Sequence, residues 1–236
     1  MNEHTVKAFD TDLQLLDKKI AQMGGLAEKL LAQGFDALSR RDPAMAEAAV
    51  ASDRTIDALE REVQEQAVLI IARRQPVASD LRQVLTVLKI AGDLERIGDL
   101  AKNIAKRATA VSGETHPKSL MVGLRHMTEL ALSQLKDVLD SFIERDAAKA
   151  MVVWRSDEKI DAMYNSLFRE LLTYMMEDPR NIGLCTHLLF GAKNIERIGD
   201  HTTNIAENIY YLVHGRPLAE DRPKGDDTSS LLLRKD

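Results

Sequence analysis

Four acidic pairs in this sequence share one spacing: Asp53/Asp57, Glu95/Asp99, Asp157/Asp161 and Glu196/Asp200. If each lies on a helix, its two side chains fall on one face with Cβ atoms about 5–6 Å apart. Like charges so placed destabilise a helix unless something neutralises them. Oxygen-rich groups of this kind suit hard cations such as Mg2+, Ca2+, Mn2+ or iron. The plainer alternative is a solvated helix face on which Arg54, Arg96 and Arg197 offset the acids. Gly98 and Gly199 stand between the acids of two pairs, and Asn103 and Asn204 follow four residues later. On a helical wheel Glu95 and Asp99 lie well round from Leu94 and Ile97, so an open cluster at the surface is expected rather than a buried cage.

Other chemistry finds less support. A di-iron centre needs Glu-x-x-His motifs, and Glu95 and Glu196 are followed at that spacing by Gly98 and Gly199. His201, His187 and Cys185 read as surface or packing residues. The sequence offers no glycine-rich phosphate loop, no Gly-x-Ser-x-Gly elbow, no Cys-x-x-Cys and no activated nucleophile.

The elements that must position these acids are helices. Of 236 residues, 44% are hydrophobic, 29% charged and 4% aromatic. Few aromatics, with scarce Gly and Pro, argue against a β-sandwich or barrel. One seam runs Phe9, Leu13, Leu16, Ile20, Met23, Ala27, Leu30, in steps of four and three. A second runs Met45, Ala49, Ser52, Ile56, Leu59, Val63, Gln66, Ile70, and a third Val87, Ile90, Leu94, Ile97, Ala101, Ile104. Asp42-Pro43 and Asp178-Pro179 read as N-caps with proline at the first helical position. Ser79-Asp80 with Gln83 reads as a helix start with a capping box. Helix starts are therefore expected near residues 3, 43, 79, 117 and 180.

The chain repeats itself. Residues 93–99 match 194–200 at an offset of 101, and Asn103-Ile104 matches Asn204-Ile205 at the same offset. Arg41-Asp42 matches Arg145-Asp146 at an offset of 104, as do Asp53 and Asp57 with Asp157 and Asp161, and the seam Leu16, Ile20, Met23, Ala27 with Leu120, Leu124, Met127, Ala131. The change of offset places a three-residue deletion between the second and third helices of the second half. Asp146 then takes the N-cap role of Asp42. The expected fold is all-α: six long helices in two tandem three-helix bundles, residues 1–112 and 113–214, followed by a disordered tail, 215–236. Each bundle would carry one acidic pair on its second helix and one on its third.

The formal net charge of -5 disfavours a nucleic-acid binder. One cysteine, Cys185, fits a reducing compartment, the N-terminal residues show no signal-peptide pattern, and no apolar run is long enough to span a bilayer. A cytoplasmic location is expected.

The stretch Glu196-Arg197-Ile198-Gly199-Asp200-His201-Thr202-Thr203-Asn204-Ile205-Ala206-Glu207 resembles the hallmark of the PhoU family. So does Pro76-Val77-Ala78-Ser79-Asp80-Leu81-Arg82 followed by Leu94-Glu95-Arg96-Ile97-Gly98-Asp99. The resemblance covers about residues 1–215, repeat included. It implies tandem three-helix bundles whose Glu/Asp-x-x-x-Asp motifs bind multinuclear metal clusters at the bundle surface in some members. Those motifs fall on Asp53, Asp57, Glu95, Asp99, Asp157, Asp161, Glu196 and Asp200. Iron, manganese, magnesium or zinc are the expected metals. The resemblance further implies a homodimeric negative regulator of phosphate-starvation signalling and phosphate uptake. Its partners would be the ATPase subunit of a phosphate ABC transporter and a phosphate-sensing histidine kinase, and it would meet the membrane only through them. Two departures from internal symmetry, Asp93 against Asn194 and Lys106 against Glu207, predict unequal sites. Absence of an evident acid or base beside the carboxylates favours an adaptor over a metal-dependent hydrolase; a coiled-coil scaffold without metal would be a third reading.

Overall fold

A computed structural model describes residues 3–112 and 118–220. Among the described residues every regular element is helical: α1 (Glu3–Arg40), α2 (Pro43–Arg74), α3 (Ala78–Ala110), α4 (Lys118–Glu144), α5 (Ala147–Arg155), α6 (Asp157–Glu177), a 3-10 turn (Pro179–Asn181) and α7 (Ile182–His214). α5 and α6 are one rod interrupted at Ser156, so the six expected rods are present. α1, α2 and α3 form the first bundle; α4, α5/α6 and α7 form the second. The three heptad-like seams face inward: Leu16, Ile20, Met23 and Ala27 are fully buried, as are their repeat partners Leu120, Leu124, Met127 and Ala131.

The first corner of each repeat has one construction. Arg41 and Arg145 adopt left-handed backbone, with φ of 56° and 55°. Asp42 N–H donates to Ala37 O and Arg41 N–H to Leu38 O, which is a Schellman closure; Asp146 to Ser141 O and Arg145 to Phe142 O repeat it. The Asp that ends this closure caps the next helix: Asp42 Oδ1 accepts from Ala44 and Met45 N–H, and Asp146 Oδ1 from Lys149 N–H. The Arg-Asp dipeptide is thus the shortest hinge that satisfies both helix ends.

Other expected caps differ. Asp178 Oδ1 accepts from Arg180 N–H, but it caps the 3-10 turn that precedes α7. The Ser79–Gln83 capping box does not form. Val77 is the N-cap of α3 and makes no side-chain cap bond; Gln83 Nε2 donates instead to Asp17 on α1.

The interruption at Ser156 has a tertiary cause. Gln134 of α4 donates to both Ser156 O, at 3.0 Å, and Ser156 Oγ, at 2.8 Å. Ser156 N–H turns to Val153 O and Val152 O, tightening the turn. A polar side chain inserted into the ladder breaks a helix in this way. The break makes Asp157 the first residue of a new helix.

The two bundles lie side by side. α3 and α7 run antiparallel: Asp93 meets His201, and Arg107 meets His187. α1 and α4 do likewise, through Asp17–Arg145 and Arg125–Ser39. Buried side chains from both repeats form one continuous cluster. α7 ends at Gly215 in left-handed backbone, φ 73°, and Leu218 packs back against the core. Of the expected tail, residues 221–236 lie outside the described residues, as do residues 113–117 at the expected bundle boundary.

Candidate functional site

Because α2 and α3 are antiparallel, the two acids of one helix meet those of the other in reverse order: Asp53 is level with Asp99, and Asp57 with Glu95. The glycine between the acids of α3 makes this approach possible. A Cβ on Gly98 would lie 3.0 Å from Ile56 Cδ1 and 3.2 Å from Asp53 Oδ1. The second repeat copies the arrangement, with a Cβ on Gly199 at 3.0 Å from Ile160 Cδ1 and 3.4 Å from Asp157 Oδ1. The sequence expectation that each pair on a second helix shares a groove with the pair on the third therefore describes both bundles.

The expectation of an open surface cluster needs correction. Asp53, Asp157, Asp161 and Glu196 are only 3%, 1%, 3% and 4% exposed, while Asp57, Glu95, Asp99 and Asp200 are half-buried. A helical wheel takes each helix alone; the neighbouring helix covers the acids from the side. Burial of ionised carboxylates is costly unless they are paired, so each repeat must supply compensation.

In the first repeat the compensation is Lys102. Its Nζ donates to Asp53 Oδ2 of α2 and to Asp99 Oδ1 of α3, both at 2.5 Å. Burial works against this ammonium, but the bonds to Asp53 and Asp99 outweigh it and hold its pKa above the usual lysine range. Arg96, mostly exposed, touches Glu95 at 3.4 Å and Asp99 at 3.5 Å. Glu95 is nonetheless raised, by burial first and then by Asp99, with Glu60 and Asp57 adding. Asp53 Oδ1 has no hydrogen-bond partner and lies close to Gly98.

The second repeat has no lysine at the equivalent position. Thr203 occupies the register of Lys102, is fully buried, and donates its hydroxyl to Asp200 O at 2.8 Å. Asp157 instead lies in the first turn of α6, where the amides of a helix N-terminus favour negative charge. Lys193 Nζ donates to Glu196 Oε1 at 2.9 Å and sits 4.9 Å from the centre of the Tyr164 ring of α6. Glu196 Oε2 is buried without a partner. Burial pushes the Glu196 carboxyl up to about 7; the bond from Lys193 opposes this, and Asp200 and Asp161 reinforce it.

Among the described residues no three His, Cys, Asp or Glu side chains converge into a ready-made metal cage. The donor sets still differ in what they suit. In the second repeat Glu196 Oε2 is a buried oxygen without a partner, on a carboxyl whose other oxygen is held by Lys193. In the first, the Lys102 ammonium stands between Asp53 and Asp99, where a hard cation would have to displace it. Asn204 and His201 belong to neither set. His201 Nδ1 donates to Asp93 Oδ1 at 2.9 Å, and Asn204 Nδ2 donates to the same oxygen at 3.3 Å, across the seam between the bundles.

Sequence reasoning missed Lys102 and the role of Asp93. Lys102 carried a signal, three residues after Asp99 on one helix face; Asp93 carried only its mismatch with Asn194.

A tandem three-helix repeat, with paired acids and an intervening glycine in each half, defines a class of helical proteins rather than an individual. Residues 20–108 and 124–209 each match the PhoU domain, and the chain belongs to the PhoU family. A Rhizobium meliloti (strain 1021) protein named phosphate-specific transport system accessory protein PhoU homolog is 55% identical, over 97% of this chain and 96% of its own length. The Escherichia coli (strain K12) phosphate-specific transport system accessory protein PhoU is 37% identical, over 100% of this chain and 97% of its own. The crystal structure of PhoU from Pseudomonas aeruginosa superposes with a TM-score of 0.85 at 39% identity, covering 88% of this chain and 100% of that one. The phosphate transport system regulatory protein PhoU from Streptococcus pneumoniae gives 0.82 at 30% identity, covering 90% and 100%.

Proposed function

We propose that this protein is a non-catalytic regulator of a phosphate-specific transport system, which restrains phosphate uptake and phosphate-starvation gene expression when phosphate is plentiful. The observation that carries this reading is similarity over nearly the whole chain, both repeats included, to accessory proteins of such systems. In this reading it is a cytoplasmic homodimer that bridges the ATPase subunit of a phosphate ABC transporter and a phosphate-sensing histidine kinase. Long helices with separate outer faces suit a bridge, since affinity comes from a few anchors rather than from total area. Among the described residues no helix is long and apolar enough to cross a membrane, so membrane association would run through the partners.

Asp157, Asp161, Glu196 and Asp200 would hold a hard cation, with the buried, unpartnered Glu196 Oε2 as the unused donor. A cation there would reverse the local charge of the α6–α7 groove and so set what it attracts. Deleting the gene should leave starvation genes expressed in rich phosphate, in a manner that requires the kinase, with phosphate over-accumulating. Normal repression in the deletion strain, with no second copy present, would overturn the reading. Phosphate release by the metal-loaded protein would favour a hydrolase instead.

A further inference from the structure

The departure of Lys106 from Glu207 in the internal repeat falls in a groove between α2 and α3. We propose that this groove is a docking site for an acidic segment of a partner protein, which inserts one tyrosine or phenylalanine side chain. The proposal gives the bridging role a contact surface, and it rests on that role only for the origin of the partner.

The groove measures about 490 Å3, and Ala46, Glu47, Val50 and Arg54 of α2 and Lys106 and Thr109 of α3 line it. The repeat shows what such a space accepts. At the offset of 104, Glu47 and Val50 correspond to Met151 and Trp154; at the offset of 101, Lys106 and Thr109 correspond to Glu207 and Tyr210. The second bundle fills the space from within. Met151 is buried, Trp154 is 2% exposed, and its indole N–H donates to Glu207 Oε1 at 2.9 Å. In the first bundle an isopropyl group replaces the indole and a threonine replaces the tyrosine. Val50 is left half-buried, and Lys106 and Thr109 are exposed. The volume missing from the first bundle is that of an aromatic side chain.

Charge is inverted between the two bundles. Arg54 and Lys106 stand where the second bundle has Glu158 and Glu207. Both cations are exposed, and among the described residues neither is ion-paired. Glu47 is the one acid on the wall, against two cations. An apolar floor of Ala46 and Val50 between unpaired cations matches a ring with carboxylates beside it. Burying such a ring removes about 150–250 Å2 from water, so one anchor can carry most of the affinity, while the cations steer and orient the segment. Lys106 also selects the ring. An ammonium only donates, so it matches a phenol oxygen or a carboxylate, whereas Glu207 accepts an indole N–H.

The experiment is binding of a fluorescein-labelled peptide, Asp-Glu-Tyr-Glu-Asp, to the full chain, read by fluorescence polarisation and located by methyl NMR. Saturable binding that shifts the methyl resonances of Ala46, Val50 and Thr109 is expected. Serine in place of the peptide's tyrosine should weaken binding about tenfold. Tryptophan there should also bind more weakly than tyrosine, and the reverse order would overturn the choice of ring. Val50→Trp/Lys106→Glu, which copies the second repeat, should fill the groove and abolish binding while keeping wild-type thermal stability. Should that variant misfold, Arg54→Glu/Lys106→Glu changes only exposed side chains and should weaken binding about tenfold. No saturable binding, equal affinity for the tyrosine and serine peptides, or binding that survives both variants would overturn the proposal. So would loss of self-association in Val50→Trp/Lys106→Glu, seen by analytical ultracentrifugation, because it would assign the groove to a second copy of this chain. If Arg54→Glu/Lys106→Glu loses the peptide and yet represses starvation genes normally in cells, the groove stands and the bridging role fails.

Discussion

Glu196 shows how one residue couples the groove to pH. Its carboxyl lies up at about 7 in the folded protein against 4.5 for an unhindered glutamate, chiefly through burial. The folded state therefore binds the proton more tightly than the unfolded chain. The stabilisation this gives is fully present below about pH 4.5 and is lost as pH rises through about 7. In chelator-treated protein, Glu196→Gln should be more stable than wild type at pH 8, by about 1–3 kcal/mol, because a buried charge with an unpaired oxygen is removed. At pH 5 the two should converge. Thermal unfolding across this range checks it; parallel curves for the two proteins would contradict the burial argument. At this scale much was legible in the sequence. The acid pairs, the intervening glycines and their repetition are all local patterns. Burial of Asp53 and Glu196 was not, because a wheel for one helix contains no neighbour. Nor was the reach of Lys102, which depends on the relative register of α2 and α3.

Helix–helix approach distances set the consequences of glycine replacement at the element scale. A Cβ on Gly25, exposed on α1, would have nothing within 4 Å, whereas a Cβ on Gly34 would stand 2.7 Å from the Ala101 carbonyl oxygen of α3. Gly25→Ala should therefore stabilise by up to about 1 kcal/mol through helix propensity. Gly34→Ala should destabilise by about 1–3 kcal/mol, since the obstacle is backbone and α1 must move away from α3. Denaturant midpoints that shift in the same direction for both would refute the close approach. Helix ends make a second case. Asp42→Ala removes an acceptor for two amides of α2 and should cost about 1 kcal/mol in the same assay. The Arg-Asp corners were readable from the repeat because cap and closure are made by adjacent residues. The interruption at Ser156 and the unformed box at Ser79 were not, because Gln134 and Asp17 act from other helices. Local capping signals fail where a tertiary partner claims the same donor.

For the whole molecule, the repeat announces two bundles but not how they join. Part of the seam is written in a residue that breaks the repeat: Asp93, where the second half has Asn194, receives bonds from His201 and Asn204. Arg145 of the second half reaches Asp17 of the first. With one continuous buried cluster spanning both halves, unfolding should be a single cooperative event. Trp154, the only tryptophan, is buried in the second repeat and donates Nε1–H to Glu207 at 2.9 Å. Its fluorescence therefore reports on the second half, while far-ultraviolet circular dichroism reports on all helices. The two signals should trace the same urea transition. Asp93→Leu deprives His201 and Asn204 of their shared acceptor and should lower the stability of the whole chain by about 1–3 kcal/mol, moving both signals together. If the fluorescence and dichroism transitions separate in wild type, the bundles fold as independent units. If they separate only in Asp93→Leu, this one carboxylate is what couples them. Coincidence in both proteins, with a lowered midpoint in the variant, is expected, because the apolar contacts along α3–α7 and α1–α4 remain after the polar bonds are lost.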